Sequence, residues 1–248
     1  MPLSIILVNP EIPQNVGFIA RSMKCYLLSD LKIIGKKYAP KSLAYKTGWT
    51  AREILQEAEH YKTLSEALTN IHYALGFTKR HRVEIPQRTS KLSETAASLD
   101  FSQNIALVFG RESHGLSKDD CNLMNKLVEI DVPNKDLSLN ISHAVVIAMH
   151  EIFTHGLISG NPLVEKSEKL KKPNSLNTND YMEPPPLSFG QRQIAFENFL
   201  DILRKKKVLR TEKTRAHLEY LRRLWQRASP DEKEMEFLLG LIHKIGKE

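Results

Sequence analysis

The stretch from Leu127 to Glu151 leaves this chain the fewest options. It opens Leu-Val-Glu-Ile-Asp-Val, with Leu127, Glu129 and Asp131 on one side of an extended backbone and Val128, Ile130 and Val132 on the other. That alternation predicts a short strand, which Pro133 ends because proline cannot donate to a ladder. The polar run Pro-Asn-Lys-Asp-Leu-Ser-Leu-Asn-Ile-Ser follows, and then a helix apolar almost all round through Ala144, Val145, Val146, Ile147, Ala148 and Met149. Such a helix is buried on several sides. Ser138, Asn140 and Ser142 stand at its entrance, where a helix favours side-chain acceptors and anions. A polar loop held between a buried strand and a buried helix suits a fixed ligand, and it equally suits a core helix with ordinary caps.

The chain has 248 residues, enough for one large domain or two small ones with a sizeable core. No apolar run approaches membrane-spanning length. The opening Met-Pro-Leu-Ser-Ile-Ile-Leu-Val reads as a first strand without a basic leader or cleavage site, so a cytoplasmic protein is expected. Cys25 and Cys121 are too few and too isolated for a disulfide framework or a zinc site. His150 and His155 lie five positions apart, which points their rings in different directions, and His143 and His150 stand about two turns, roughly 10 Å, apart. No metal site is expected. Net charge is +7, and the surplus sits at the C-terminal end, where residues 188–248 hold 14 basic and 9 acidic side chains. A basic surface of this kind suits a polyanion, RNA or DNA foremost, or is plain solubilising charge.

Taken in order, Leu3–Val8 is a strand, and Val16, Ile19, Ala20, Met23 and Leu27 mark the core face of a helix from Gln14 or Asn15 to Leu27. Gly17, Arg21 and Lys24 form a second stripe on that helix. A helical glycine costs about 1 kcal/mol against alanine, and here it leaves room for a phosphate or ribose to approach Arg21, or is simply tolerated. Strands follow at Leu31–Ile34, Ile71–Phe77 and Asn104–Phe109, with helix over Lys41–Leu55 broken at Gly48, an extended piece near Tyr61 and a helical turn at Leu64–Thr69. Thr78-Lys79-Arg80-His81-Arg82 and Gly110-Arg111-Glu112-Ser113-His114-Gly115-Leu116 each leave the C-terminal end of a strand, the edge where open α/β sheets bind ligands. Neither is a dinucleotide fingerprint or a phosphate-binding P-loop. A helix begins near Ser117 with Asp119 and Asp120 in its first turn. Strand alternating with helix predicts a mostly parallel sheet. Residues 1–160 are therefore expected as one α/β domain, 161–187 as a Pro-rich linker and 188–248 as a small all-α domain. The last contains an apolar stripe through Phe196, Phe199, Leu200 and Leu203, another through Leu218, Leu221 and Trp225, and a third helix started by Ser229, with Pro230 in its first position and Glu232 as capping-box partner.

Three stretches together resemble the SpoU/TrmH-like branch of the SPOUT RNA methyltransferases. They are Asn15-Val-Gly-Phe-Ile-Ala-Arg21, which matches N-x-G-x-x-x-R, then Leu107-Val-Phe-Gly110-Arg-Glu112-Ser-His-Gly115-Leu116, which matches F-G-x-E-x-x-G-L, and Ser138-Leu-Asn140-Ile-Ser142 with its helix. The segment Leu221-Arg-Arg-Leu-Trp-Gln-Arg-Ala-Ser-Pro is similar to the extra helical domain of the TrmJ type. The resemblance implies a domain with a deep trefoil knot, an exception to the unknotted rule. It further implies S-adenosylmethionine as cofactor, a homodimer whose active site uses both subunits, and RNA as substrate: methylation of a ribose 2′-hydroxyl in the tRNA anticodon loop, at a cytidine or uridine in position 32. By motif position, Thr78, Lys79, Arg80, Gly110, Ile130, Leu137, Ser138 and Leu139 would bind the cofactor. Lys79 and Arg80 depart from the small residues that TrmJ-like proteins have there.

The resemblance also assigns roles. Arg21 would act on the 2′-hydroxyl, as base or as a clamp for phosphate and developing alkoxide, and a guanidinium's resistance to deprotonation favours the clamp. Asn15 would orient Arg21 or the ribose, Glu112 would hold its loop or Arg21's partner, and Ser138 and Asn140 would position cofactor and ribose. Two other readings stand beside this one: methylation of ribosomal RNA or of the tRNA wobble nucleotide, and a non-catalytic RNA-binding protein on the same fold. The C-terminal helices oppose the wobble reading, and intact Arg21, Glu112 and Asn140 oppose the non-catalytic one.

Overall fold

The computed structural model describes residues 3–79, 89–134, 136–158, 186–205, 214–228 and 230–245. Seven strands lie among them: β1 Leu3–Val8, β2 Leu31–Ile34, β3 Glu59–Tyr61, β4 Tyr73–Phe77, β5 Ser90–Lys91, β6 Ile105–Phe109 and β7 Lys126–Glu129. The helices are α1 Pro13–Cys25, α2 Leu43–Thr47, α3 Arg52–Glu57, α4 Leu64–Ala67, α5 Leu92–Ala97, α6 Lys118–Asn122, α7 Ile141–Ile158, α8 Phe189–Lys205, α9 Thr214–Ala228 and α10 Glu232–Ile245. The strands form one sheet in the order β3-β2-β1-β6-β4-β7-β5, and every pair is parallel. The α/β class and the parallel sheet are as the sequence implied.

Parallel strands covered on both faces bury successive residues to opposite sides. Ile5 and Leu7 of β1 pack with α1, α5 and α7, whereas Ile6 and Val8 pack with α4, α6 and Phe189 of α8. β7 follows the same rule, with Leu127 and Val128 both buried, but it ends at Glu129, sooner than the Val132 expected from alternation. β5 and α5, which give no periodic signal, complete the sheet edge and pack against α7. In α7 the buried side is Val145, Ala148, Met149 and Ile152, while His143, Ile147 and His150 remain exposed. No described helix is long and apolar enough to cross a membrane.

Gly17 has a structural cause different from the one its stripe suggested. A Cβ there would lie 2.0 Å from Thr47 Oγ1, 2.2 Å from the Ala44 carbonyl and 2.7 Å from the Gly48 amide. The glycine admits α2, not a ligand. Gly17→Ala must push the two helices apart, and overpacking of this kind costs about 1–3 kcal/mol. The expected result is a lower thermal midpoint, read by calorimetry or circular dichroism.

The C-terminal helices dock on the α4/α6 face of the sheet. The amides of Phe189 and Gly190 donate to the carbonyls of Ile71 and Thr69 at 2.7 and 3.0 Å. Arg192 is fully buried and donates through Nη1 to the carbonyls of His72 (2.8 Å) and Leu187 (2.7 Å) and through Nη2 to Asn125 Oδ1 (3.4 Å). Burial lowers this guanidinium to about 10, so it stays charged at neutral pH. Asn125 also accepts from Ala74 N at 2.8 Å and donates to the Gln226 carbonyl at 2.9 Å, joining β4, α8 and α9. Trp225 closes the junction, with its indole N–H on the Arg192 carbonyl at 3.0 Å and its ring against Phe196 and Phe199. At α10 the cap differs from the expected one. Asp231 and Glu234 exchange hydrogen bonds at 2.8 and 3.0 Å, so the capping box starts at Asp231; Ser229 lies outside the described residues.

Candidate active site

The loops that leave β1, β4, β6 and β7 at their C-terminal ends meet over one cavity of roughly 700 Å³, within the usual range for small-ligand sites. Phe77 and Phe109 end adjacent strands in register, and their rings stack 4.4 Å apart with planes 13° from parallel. Both rings border the cavity, together with Val128, Ile130, Ile141 and Ala144. Polar groups surround this apolar part: Thr78 and Lys79 after β4, Arg111 and Glu112 after β6, and Asp136, Ser138 and Asn140 before α7. Of the residues singled out by sequence, Thr78, Lys79, Gly110, Glu112, Ile130, Ser138, Leu139 and Asn140 line the cavity. Leu137 points into solvent, but its carbonyl accepts a hydrogen bond from the Lys79 ammonium, which joins the two loops. Arg80 lies outside the described residues.

Gly110 is needed for the shape of its loop. A Cβ there would fall 2.1 Å from the carbonyl carbon of Gly115 and 2.2 Å from the Leu116 nitrogen, because residues 111–115 fold back over it. Gly115 turns that corner with φ +66°.

A chain of side chains ties the rim together. Glu112 Oε2 accepts from the Glu11 amide at 2.8 Å, and its Oε1 accepts from the Ile12 amide at 3.2 Å and from Asn15 Nδ2 at 2.9 Å. α1 has no acidic residue in its first turn and no side-chain cap of its own, so Glu112 brings a carboxylate to its positive end from a hundred residues away. Buried Asn15 accepts in turn from Asn140 Nδ2 at 3.1 Å, and Asn140 Oδ1 accepts from the Ser142 amide and hydroxyl at 2.8 and 2.7 Å at the start of α7. Tyr38 packs over the same corner and donates to the Pro10 carbonyl at 2.9 Å; burial, helped by the Glu112 charge, pushes its hydroxyl up to about 12. Asn15 thus contacts Glu112 and Asn140, and Arg21 is exposed further along α1, not among the residues that line this cavity.

The profile of the SpoU rRNA Methylase family matches residues 2–150. The chain belongs to this family. It is similar over 99% of its length to the tRNA (cytidine/uridine/adenosine-2'-O-)-methyltransferase TrmJ of Pseudomonas aeruginosa, with 31% identity and 94% of that relative covered. The solved structure of TrmJ from Z. mobilis superposes with a TM-score of 0.75 over 98% of both chains at 22% identity, which carries the fold. A solved structure bearing on the 2-OH methylation of C/U34 on tRNA matches 65% of this chain and all of its own, at 25% identity and a TM-score of 0.51. The SpoU-family chain described here is an S-adenosylmethionine-dependent RNA 2′-O-methyltransferase.

The cavity suits that cofactor. Stacked phenylalanines and aliphatic side chains offer an apolar floor for an adenosine, and among the described residues the cavity has no glycine-rich phosphate cradle to serve a nucleotide. Lys79 and Arg111 give cationic partners for an amino-acid carboxylate, and Asp136 gives an anionic one for an ammonium or sulfonium. Sequence alone did not single out Phe77 or Asp136, and Phe109 entered only as the first residue of the F-G-x-E-x-x-G-L match. For Phe77 the signal available was its position as the last residue of a strand.

Proposed function

We propose that this SpoU methylase modifies tRNA in the anticodon loop, at the 2′-hydroxyl of a cytidine or uridine in position 32, and that it does so as a cytoplasmic homodimer with a trefoil-knotted domain over residues 1–160, a linker over 161–187 and an RNA-binding helical domain over 188–248. The observation that carries the reading is the single cavity into which Thr78, Gly110 and Ser138 converge from three separate strand ends. Similarity to a tRNA 2′-O-methyltransferase over nearly the full length, C-terminal helices included, supports a tRNA substrate, and position 32 follows from the resemblance of those helices to the TrmJ type. The match to the C/U34 structure stops at about two thirds of the chain.

S-adenosylmethionine, when bound, supplies an electrophilic methyl group. The protein's part is to hold the ribose beside it, and positioning of this kind accounts for much of the barrier in group transfer. Ser138 and Asn140 sit where the sugar would approach, and the Asn140 amide is already oriented by Asn15 and Ser142. Arg21 would clamp the substrate phosphate and stabilise the alkoxide as the hydroxyl passes its proton to that phosphate or to water. Because Arg21 does not line its own chain's cavity, it would serve the partner's. Exposed Phe18 on α1 and Ile147 on α7, helices joined by Asn15–Asn140 at one end and by Tyr26–His150 (3.2 Å) at the other, favour that face for subunit pairing.

Calorimetric titration with S-adenosylmethionine should show saturable binding, and its absence would return the chain to a non-catalytic RNA-binding role. Mass spectrometry of tRNA from a deletion strain should show ribose methylation lost at position 32. Loss confined to position 34, or to ribosomal RNA, would overturn the substrate assignment.

A further inference from the structure

Two loops at the cavity rim exchange hydrogen bonds in both directions. Glu112, in the loop after β6, accepts from the backbone of the loop after β1. Glu11, in the loop after β1, returns the contact: its Oε2 accepts from the Ser113 amide at 3.0 Å and its Oε1 accepts from the Ser113 hydroxyl at 2.7 Å. The two halves of this clasp differ in depth. Glu112 also holds buried Asn15, and through it the start of α7, so its half belongs to the framework. The Glu11 half is exposed and grips only the tip of the 111–115 loop, where Ser113 borders the cavity.

That loop has little freedom within itself, since it folds tightly over Gly110. Glu112 anchors the start of the loop, and beyond it the placement of the tip over the cavity depends on what grips Ser113. We propose that Glu11 is a positioning residue for methyl transfer: acting through Ser113, it fixes the lip of the cofactor cavity against which the incoming ribose is held. The inference rests on the methyltransferase reading above. The ionised state suits the role, because the two Ser113 hydrogen bonds, assisted by His114 and Arg111, keep the Glu11 carboxyl below the usual carboxylate range. A carboxylate with two donors on one residue fixes both distance and orientation, as a single bond does not.

The test compares Glu11→Ala, Ser113→Ala, the double variant and Glu11→Gln with the wild type, using S-adenosylmethionine and unmodified tRNA transcript. Exposure of the Glu11 carboxylate predicts an unchanged thermal midpoint. Displacement of the lip predicts a fall in methylation rate of roughly tenfold to a hundredfold that persists at saturating cofactor. Ser113→Ala should add little once Glu11 is alanine, since the hydroxyl bond it removes is one of the two that Glu11→Ala has already removed. Glu11→Gln keeps an acceptor for the Ser113 hydroxyl and should recover part of the rate. Wild-type rate in Glu11→Ala, additive effects of the two alanines, or a rate that falls only in step with the folded fraction would each overturn the inference. Failure of the wild type itself to bind cofactor or methylate tRNA would instead overturn the methyltransferase reading.

Discussion

Arg21→Ala is expected to lower the methylation rate by at least a hundredfold to a thousandfold, the range for removing one group that stabilises developing negative charge, with S-adenosylmethionine affinity nearly unchanged. The split follows from where the residue stands. Arg21 is exposed on α1 and absent from the cavity wall, so its loss takes nothing from the cofactor site of its own chain. Calorimetry and a methyl-transfer assay on the same preparation check both halves, and cofactor affinity lost together with activity would contradict the assigned role. A second experiment tests the sharing of sites. Arg21→Ala protein mixed and re-annealed with a variant blocked at the cavity, such as Gly110→Val, should regain activity that neither shows alone. Random pairing gives one intact site in half of the dimers, roughly a quarter of wild-type activity. No recovery would mean that each protomer uses its own arginine.

Arg192→Ala should release the C-terminal helices. Three neutral oxygens, the carbonyls of His72 and Leu187 and Asn125 Oδ1, hold this buried cation, and its Nε has no hydrogen-bond partner among the described residues. Two effects compete. A buried charge without a counterion carries a desolvation cost that its removal relieves, and apolar replacement of buried ions is often neutral. Against this, alanine leaves a cavity and strands two carbonyls, which together cost about 3–5 kcal/mol. Packing wins for alanine, because the side chain is wholly buried and bonds to both the sheet side and α8. Arg192→Met, which fills the space, should lose less, about 1–3 kcal/mol from the stranded acceptors alone. Proteolysis should cut Arg192→Ala before α8 well ahead of the wild type, the methionine variant should fall between them, and cofactor binding should persist in both.

The middle of the sheet was legible in the sequence because β1, β2, β4 and β6 are short, mostly apolar runs closed by Gly, Pro or a polar loop, Leu3–Val8 being read to the residue, whereas the polar edge strand β5 was not. The helix at 92–97 was not, since its buried side is only Leu92, Thr95 and Ala96, a stripe too short to stand out from the sequence, and it packs on α7. Of the site, the loop residues were legible by their place after strands, but their bonds were not. Glu112 and Asn15 are 97 positions apart, and Asn15 and Asn140 are 125 apart, so no spacing rule connects them. Gly17 stood in the same stripe as Arg21 and so invited a ligand reading, whereas the neighbour it admits comes from α2. Arg192 looked like one more cation in a basic tail. Burial of a charge depends on what folds over it, and the sequence around position 192 does not reveal that.

The Glu112–Asn15–Asn140 relay makes one side of the cavity stiff. The start of α1, the start of α7 and the loop after β6 share its bonds, and α1 is wedged besides against α2 at Gly17. That side behaves as an anvil of fixed shape. The opposite side, where Pro133, Asn134 and residues 136–139 are exposed and Lys79 reaches across to Leu137, is the softer one, because exposed segments open at lower free energy than packed ones. Any adjustment to an arriving ligand therefore falls on the softer side, and the ribose meets a surface whose geometry was settled when the chain folded.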